Sequence, residues 1–544
     1  MTAISHRIAA FADRWPKLLA LLLGAVSATG FAPLNLWPLT LLAFAGWMML
    51  VARSPRGRGS FGVGWAFGVG HFTIGLNWIA TAFTYQAAMP AWLGWVAVVL
   101  LSLYLAVYPA LAALSAWLIR RFGPPQAGPT LSYVLAFAAF WTLTEWLRSW
   151  IFTGFAWNPL VATIGDYFGM LRLVGTYGAS ATVILASGYV LWLLQPKSYN
   201  RGKEGLRPDP SPRSQLMQQL AAGAVIACFL GLTFLLPNRT GSQSATAKQG
   251  VPITVVQPNV GQQDKWEGSK ADANFAKLAR LTFPKDDTPR LILWPEAAVP
   301  DYLETGYPAV YYDRSPAAAR GRLTDLMNPN DVMLLGALKL ELDKSGEAVG
   351  ARNAVMTVHA DGSLGPRYDK SHLVPYGEYL PMRPVLSAIG LSRLAPGDID
   401  FWPGPGPHTL DLGRFGKAGL QICYEIIFSG QVVDRAHRPD FIFNPSNDAW
   451  FGGWGPPQHL AQARLRAIEE GLPVVRATPT GISAVIDADG TILESLPMHQ
   501  AGRIDTVIPR AHRPTPFARY GNLLPVAFAL LLLAVAIAFR RRGR

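Results

Sequence analysis

Leu420-Gln421-Ile422-Cys423-Tyr424-Glu425 is an apolar strand that breaks into polar residues at a cysteine. The chain has 544 residues and two cysteines, and a thiol at a strand end stands where a nucleophile belongs. The other, Cys228, falls in the apolar stretch 220–236, out of reach of a disulfide with Cys423, so the Cys423 thiol reads as free. Two upstream segments end in the groups such a thiol needs. Leu291-Ile292-Leu293-Trp294-Pro295-Glu296 closes on a carboxylate, and Tyr368-Asp369-Lys370 follows a hairpin with an ammonium. A neutral thiol attacks poorly until a base takes its proton or a cation stabilises the thiolate. Glu296 is the candidate base and Lys370 the candidate cation, with Lys370 also able to donate to the oxyanion of a tetrahedral intermediate. On residue type alone each has an ordinary reading beside this one: a helix cap, a solvated loop lysine, a buried small hydrophobe.

Outward from these words the second half alternates β-rich and helix-like runs. Strands are predicted at 253–257, 290–295, 332–338, 354–359, 418–422, 441–444, 474–478 and 483–487, and helices at 271–281, 321–327 and 458–470. This alternation predicts a layered α/β domain. Ala360-Asp361-Gly362-Ser363 and Ala488-Asp489-Gly490-Thr491 carry the Asp-Gly pair of tight hairpin turns.

The first half has a different character. Half of all residues are hydrophobic and 15% are charged, and the mean hydropathy is +0.21, too apolar for an ordinary soluble chain of this length. Membrane spans of about 20 apolar residues are predicted at 18–31, 36–52, 61–83, 91–119, 131–152, 175–194 and 220–236, with an eighth at 523–539. The first two share a turn at Pro33, so a re-entrant hairpin is the alternative there. The basic flank before the first span resembles that of a signal peptide, but no cleavage site precedes a mature polar domain, so the segment reads as retained. Lys and Arg collect before the first span, after the second, fourth and sixth, and in the tail Arg540-Arg541-Arg542-Gly543-Arg544. Those segments hold essentially the whole net charge of +13. Basic loops mark the cytoplasmic side, so both termini read as cytoplasmic and the region after the seventh span as extracytoplasmic. The same placement argues against a nucleic-acid partner, because the basic excess is a topology signal and not a binding face. A small, polar linker follows the seventh span.

The catalytic words resemble the nitrilase superfamily, whose members carry a glutamate at a strand end, a lysine after a hairpin, and a nucleophilic cysteine with an acidic residue two positions on. Tyr368-Asp369-Lys370-Ser371-His372-Leu373-Val374-Pro375-Tyr376-Gly377-Glu378-Tyr379 is similar to the lysine motif of the apolipoprotein N-acyltransferases, the integral-membrane branch of that superfamily. Ile422-Cys423-Tyr424-Glu425 and Trp294-Pro295-Glu296 fit the same branch. Glu145-Trp146-Leu147-Arg148 with Gly154-Phe155-Ala156-Trp157 is similar to its membrane signature. The resemblance implies an eight-helix transmembrane bundle plus an extracytoplasmic nitrilase-like αββα sandwich. It divides the chain into a seven-helix domain at 1–237, a linker at 238–250, the catalytic domain at 251–510, the eighth helix at 523–539 and a basic tail at 540–544.

What it implies of function is a ping-pong transfer at the cell inner membrane, with the catalytic domain periplasmic. Cys423 takes an acyl chain from a phospholipid, phosphatidylethanolamine by expectation, and passes it to the α-amine of the diacylglyceryl-cysteine of an apolipoprotein. Glu378 would hold the catalytic lysine and glutamate, Tyr424 and Glu425 would support the nucleophile, and Trp266 and Asn353 would lie at the substrate. Trp450, Phe451 and Trp454, separated by glycines, form an aromatic loop fit to contact an acyl chain or cover it, or else a packed core loop. Glu145 and Arg148 stand three apart on one helix face and are expected to pair. His71, His372 and His459 lack metal-ligand spacing, no glycine fingerprint for phosphate or dinucleotide is present, and neither metal nor cofactor is expected. The expected state is a monomer. Two other readings remain: a membrane-tethered amidase that gives the acyl group to water, and a transporter or scaffold with a non-catalytic outer domain.

Overall fold

The computed structural model describes residues 10–85, 90–121, 129–164, 169–194, 250–265, 267–388 and 399–542. The expected span at 220–236, Cys228, nearly all of the 238–250 linker and Trp266 lie outside the described residues. The chain divides into two compact units, one drawn from Met1–Asn77, Trp95–Arg239 and Tyr520–Arg544, the other from Trp78–Gly94 and Thr240–Arg519.

The first unit is helical: α1 (Pro16–Ser27), α2 (Trp37–Arg53), α3 (Gly57–Gly75), α4 (Leu93–Leu105), α5 (Val107–Arg121), α6 (Leu131–Arg148), α7 (Leu171–Leu194) and, from the chain end, α11 (Leu523–Arg542). A helix stands at every expected position within the described residues. Among the described residues, Leu93–Arg121, Leu171–Leu194 and Leu523–Arg540 are long and apolar enough to cross a membrane, while Pro16–Gly30 and Trp37–Arg53 are apolar but shorter. The third expected span, 61–83, stops at Gly75, whose carbonyl accepts from Asn158 Nδ2 at 2.9 Å, and a separate short helix follows at Ile79–Ala82. Small residues let helices touch: a Cβ on Gly70 would lie 2.0 Å from the Leu21 carbonyl oxygen, and one on Gly24 1.9 Å from that of Phe67. Trp47 stacks on Phe67 at 4.1 Å within this core.

The expected Glu145–Arg148 pair is at its outer limit, 4.0 Å. Each hydrogen-bonds to backbone instead. Glu145 Oε1 accepts from the Leu160 N–H at 2.8 Å, and Arg148 donates to the Trp157 carbonyl at 2.8 Å. The two charges therefore hold the 157–160 turn as much as each other.

The second unit holds two six-stranded sheets with a common design. Sheet one runs β12-β1-β2-β3-β4-β5, from β1 (Pro252–Gln257), β2 (Leu291–Leu293), β3 (Val332–Leu342), β4 (Ala348–His359), β5 (Tyr368–Asp369) and β12 (Gly502–Val507). Sheet two runs β11-β10-β9-β8-β7-β6, from β6 (Thr409–Asp411), β7 (Lys417–Leu420), β8 (Phe441–Pro445), β9 (Val474–Ala477), β10 (Ser483–Ile486) and β11 (Ile492–Leu496). In each, three neighbouring strands are parallel, β1-β2-β3 and β7-β8-β9, with antiparallel strands at the edges. Helices α8 (Ala271–Thr282) and α9 (Pro316–Thr324) send Leu278, Ala319 and Leu323 into a core with Ile292, Trp294, Met333 and Leu335. Helix α10 (Gly455–Glu470) packs against sheet two. Gln257 stitches the sheets together, its Oε1 accepting from the Ser483 N–H at 3.0 Å and its Nε2 donating to the Pro497 carbonyl at 2.8 Å.

Every predicted strand is present. Tyr368–Asp369, Thr409–Asp411, Ile492–Leu496 and Gly502–Val507 were not expected, being very short or polar edge strands without an apolar run. Helix α9 begins at Pro316, five residues before its expected start, because Ser315 caps it through the Ala318 N–H and Pro316 suits the first helical position.

Candidate functional site

Both sheets deliver a reactive group just beyond the carboxyl end of a parallel strand, where open α/β sheets place their ligands. On sheet one, β2 gives way at Leu293 and the chain stays laced to β3, the Gly336 N–H donating to the Pro295 carbonyl at 3.2 Å and the Ala298 N–H to the Gly336 carbonyl at 2.7 Å. Ala297 sits at φ +47°, turning the chain sharply after Glu296. Gly336 is required here, since a Cβ on it would lie 2.2 Å from the Ala297 nitrogen and 2.6 Å from Glu296 Cα.

The Glu296 side chain points into a buried polar cluster. Asn353, in the middle of β4, donates through Nδ2 to Glu296 Oε1 at 2.7 Å and to Glu378 Oε1 at 3.0 Å. Lys370, just after β5, reaches Glu378 Oε1 at 3.0 Å and Glu296 Oε1 at 3.5 Å. The Val374 N–H fixes Glu378 Oε2 at 2.8 Å. Burial pulls the Lys370 ammonium toward neutrality, but Glu378 and Glu296 outweigh it and hold its pKa above the ordinary lysine value, so it stays charged. Glu296 Oε2 is buried and has no hydrogen-bond partner, which leaves one carboxylate oxygen open to take a proton.

On sheet two, Cys423 follows the end of β7 at φ +50°, a conformation rare for a residue with a side chain and associated with functional strain. Glu296, Lys370 and Cys423 are 6, 1 and 5% exposed. Burial pushes the thiol well above the ordinary cysteine value, Glu296 and Asp448 add to that, and Lys370 and the Asn447 N–H oppose it. The resting thiol is therefore neutral. Attack on a carbonyl must pass the thiol proton to a base as the bond forms, and Glu296 is the carboxylate acting on it most strongly.

Glu425 joins the lysine and cysteine segments. Its Oε1 accepts from the Ser371 N–H at 2.7 Å, the His372 N–H at 3.0 Å and the Tyr368 hydroxyl at 2.9 Å, and its Oε2 from the Ile422 N–H at 2.7 Å. Tyr424 packs edge-on to His372 and Phe428 at 5.7 and 5.2 Å. Asn353 commits its Nδ2 to the two carboxylates, while its buried Oδ1 has no hydrogen-bond partner. Phe451 is buried, its ring 4.7 Å from Trp78 and 5.6 Å from His459. Trp450 lies edge-on to Tyr85 at 5.8 Å, and Trp450 and Trp454 are half-buried.

Sequence reasoning missed Lys265. Its Nζ donates to the Glu296 carbonyl at 2.8 Å, and burial lowers its pKa to about 8 against the pull of Glu296 and Cys423. The signal was its place one residue before Trp266. Also missed were Asp448 and Arg476, which surround His459 behind Cys423. A cavity bordered by Pro258, Lys265, Phe275 and Pro295 reaches Glu296 but includes neither Cys423 nor Lys370. Among the described residues no cluster of three or more His, Cys, Asp or Glu side chains suits a metal.

Residues 23–189 match the family model of the apolipoprotein N-acyltransferase N-terminal domain, and residues 253–511 match the carbon-nitrogen hydrolase model. The apolipoprotein N-acyltransferase of Rhodopseudomonas palustris is 33% identical over 97% of this chain and 96% of its own. The chain belongs to the apolipoprotein N-acyltransferase family. Other members of the family are the Brucella melitensis enzyme, 32% identical over 96% of this chain and 90% of its own, and that of Caulobacter vibrioides, 32% identical over 96 and 94%. Among solved structures, a Saccharomyces cerevisiae member of branch 10 of the nitrilase superfamily is 21% identical, covers 49% of this chain and 93% of its own, and has a TM-score of 0.33. The two family models together match this one chain, the first over its helical half and the second over its two-sheet half.

Proposed function

We propose that this chain transfers an acyl group from a phospholipid, phosphatidylethanolamine in the first instance, to the α-amine of a diacylglyceryl-modified N-terminal cysteine on an apolipoprotein. The observation that carries this reading is the correspondence of both halves at once to N-acyltransferases across nearly the whole length of each chain. The cluster around Glu296 supports the chemistry. Cys423 Sγ attacks the ester carbonyl while its proton passes to the open Glu296 oxygen. Lys370 stabilises the oxyanion, the ester C–O bond breaks, and the protonated Glu296 returns the proton to the departing lysophospholipid. The acceptor amine then attacks the thioester and gives a proton to Glu296. The C–S bond breaks, and the thiolate recovers that proton. Glu378 and Asn353 hold Lys370 and Glu296 in place, and Glu425 holds the lysine and cysteine segments together.

In this reading the enzyme is a monomer in the cell inner membrane, with eight spans, cytoplasmic termini and a periplasmic catalytic domain at 251–510. Tying both lipid-bearing substrates to one membrane raises their effective concentration at the thiol. Trp266, Trp450 and Trp454 contact the acyl chain. The test is the intact mass of the purified protein after incubation with phosphatidylethanolamine, beside Cys423→Ala. One added fatty-acyl mass in the unmodified protein only, discharged by a diacylglyceryl peptide with a free amine, is expected. Discharge by water at the same rate as by peptide would make the protein a lipid hydrolase or amidase, and absence of an adduct would end the thioester route.

A further inference from the structure

Behind Cys423 lies a second set of buried charges that the proposed chemistry does not use. Asp448, His459 and Arg476 are all buried. Arg476 donates through Nη2 to Asp448 Oδ2 at 2.5 Å and through Nη1 to Asn444 Oδ1 at 2.5 Å, and Asn444 Nδ2 donates in turn to the Gln421 carbonyl at 2.6 Å. His459 Nε2 lies 3.0 Å from the Cys423 carbonyl oxygen, and its Nδ1 lies 2.9 Å from Arg476 Nη2 and 3.0 Å from Asp448 Oδ1.

The partners assign the proton. A carbonyl oxygen only accepts, so Nε2 carries hydrogen. Nδ1 faces both a donor, Arg476 Nη2, and an acceptor, Asp448 Oδ1, so the donor toward Cys423 is Nε2 whichever form the ring takes. Burial and the neighbouring Arg476 disfavour a charged ring, and Asp448 opposes them. The carbonyls of Gln421 and Cys423 are thus both gripped from one network, while Glu425 holds the Ile422 N–H between them.

We propose that His459 is a positioning residue for the nucleophile: by donating Nε2–H to the Cys423 carbonyl, with Arg476 and Asp448 fixing the ring, it locks the left-handed backbone that aims the thiol. This inference rests on Cys423 being the nucleophile. Without the donor, the positive-φ backbone is free to relax, and a thiol displaced by about 1 Å loses on the order of 10²-fold in rate.

The experiment compares His459→Gln with His459→Asn. Both are polar, but only the longer amide reaches the Cys423 carbonyl. The rate at which Cys423 gains acyl mass from phosphatidylethanolamine is measured across donor concentrations, with the thermal midpoint recorded alongside. Expected is a Gln variant within about tenfold of wild type and an Asn variant slower by about 10²-fold at saturating donor, its half-saturating donor concentration unchanged. A merely structural role would slow the two alike and lower both midpoints. Equal slowing, or an Asn variant at the wild-type rate, overturns the inference. If the Asn variant does not fold, Arg476→Lys, which keeps the charge but loses the forked donor geometry, is read instead, and a wild-type rate there overturns it. A wild-type protein that gains no acyl mass at Cys423 removes the proposed function and this inference together, whereas normal acylation in wild type and both variants removes the inference alone.

Discussion

The two strand ends that meet at the site are alike in backbone and unlike in support. After β2 and after β7 the chain turns through one left-handed residue, Ala297 in one case and Cys423 itself in the other. Around Glu296 the side chain is held, by Asn353 and Lys370 on one oxygen, and the other oxygen is left open. Around Cys423 the backbone is held, by His459 on its carbonyl and Glu425 on the preceding N–H. A base must exchange a proton, so its orientation is fixed and its lone pair kept free. A nucleophile must swing its sulfur onto a carbonyl, so the fixed part is the main chain beneath it.

The comparison breaks most severely at the base. Glu296→Gln keeps the oxygen that Asn353 holds but cannot accept the thiol proton, and acyl-enzyme formation is expected to fall by about 10²–10⁴-fold with the thermal midpoint little changed. Intact-mass kinetics would check this, and a variant within tenfold of wild type would remove Glu296 from the base role.

Next in size is Glu425→Ala, which strips a partner from the Ile422, Ser371 and His372 N–H groups together. A buried group left unpaired costs about 1–3 kcal/mol, so this variant should unfold several degrees earlier and acylate slowly, in contrast to Glu296→Gln. A normal midpoint would show that the bridge between the two segments is dispensable.

Gly336→Ala sharpens the comparison on sheet one alone. The new Cβ meets backbone, not a yielding side chain, and overpacking of this kind costs about 1–3 kcal/mol. It should displace Glu296 and slow acylation while leaving alkylation of Cys423 by iodoacetamide, followed by peptide mass, at the wild-type rate. If both rates fall together, the two strand ends are coupled more tightly than their separate supports suggest.

The smallest effect is in pH. The folded thiol is held above its unfolded value, so its contribution to stability is whole below about pH 8.5 and is lost as pH rises from there through the folded value. Between pH 7 and 10 the thermal midpoint of the wild type should therefore fall more steeply than that of Cys423→Ala. Parallel curves would mean that the fold does not disfavour the thiolate.

What could be read in advance was whatever a local word carries. Glu296, Lys370, Cys423, Glu378 and Glu425 each stand in a short run that names its strand end or hairpin, and the structure joins Glu296, Lys370 and Glu378 in one cluster and ties Glu425 to the N–H just before Cys423. Asn353 was legible as a neighbour but not in its task, because donating to two carboxylates depends on the partners' positions and not on its own context. Asp448, His459 and Arg476 carry no spacing rule at all. One lies on a turn, one on α10 and one on β9, and only the packing of α10 on sheet two brings them together. Edge strands such as β5, β6 and β12 were lost because two to six partly polar residues without alternation look like loop.

One of those edge strands sets a timetable. β12 is the neighbour of β1, yet it is made some 250 residues later, after all of sheet two. Until Gly502–Val507 has emerged from the ribosome, one side of β1 has no strand to pair with, and an unpaired strand edge is a template for joining the wrong chain. Gln257 shares that wait, because its partners Ser483 and Pro497 also arrive near the end. The nascent chain therefore reaches its last membrane-compatible helix, α11, almost as soon as the domain before it is able to close.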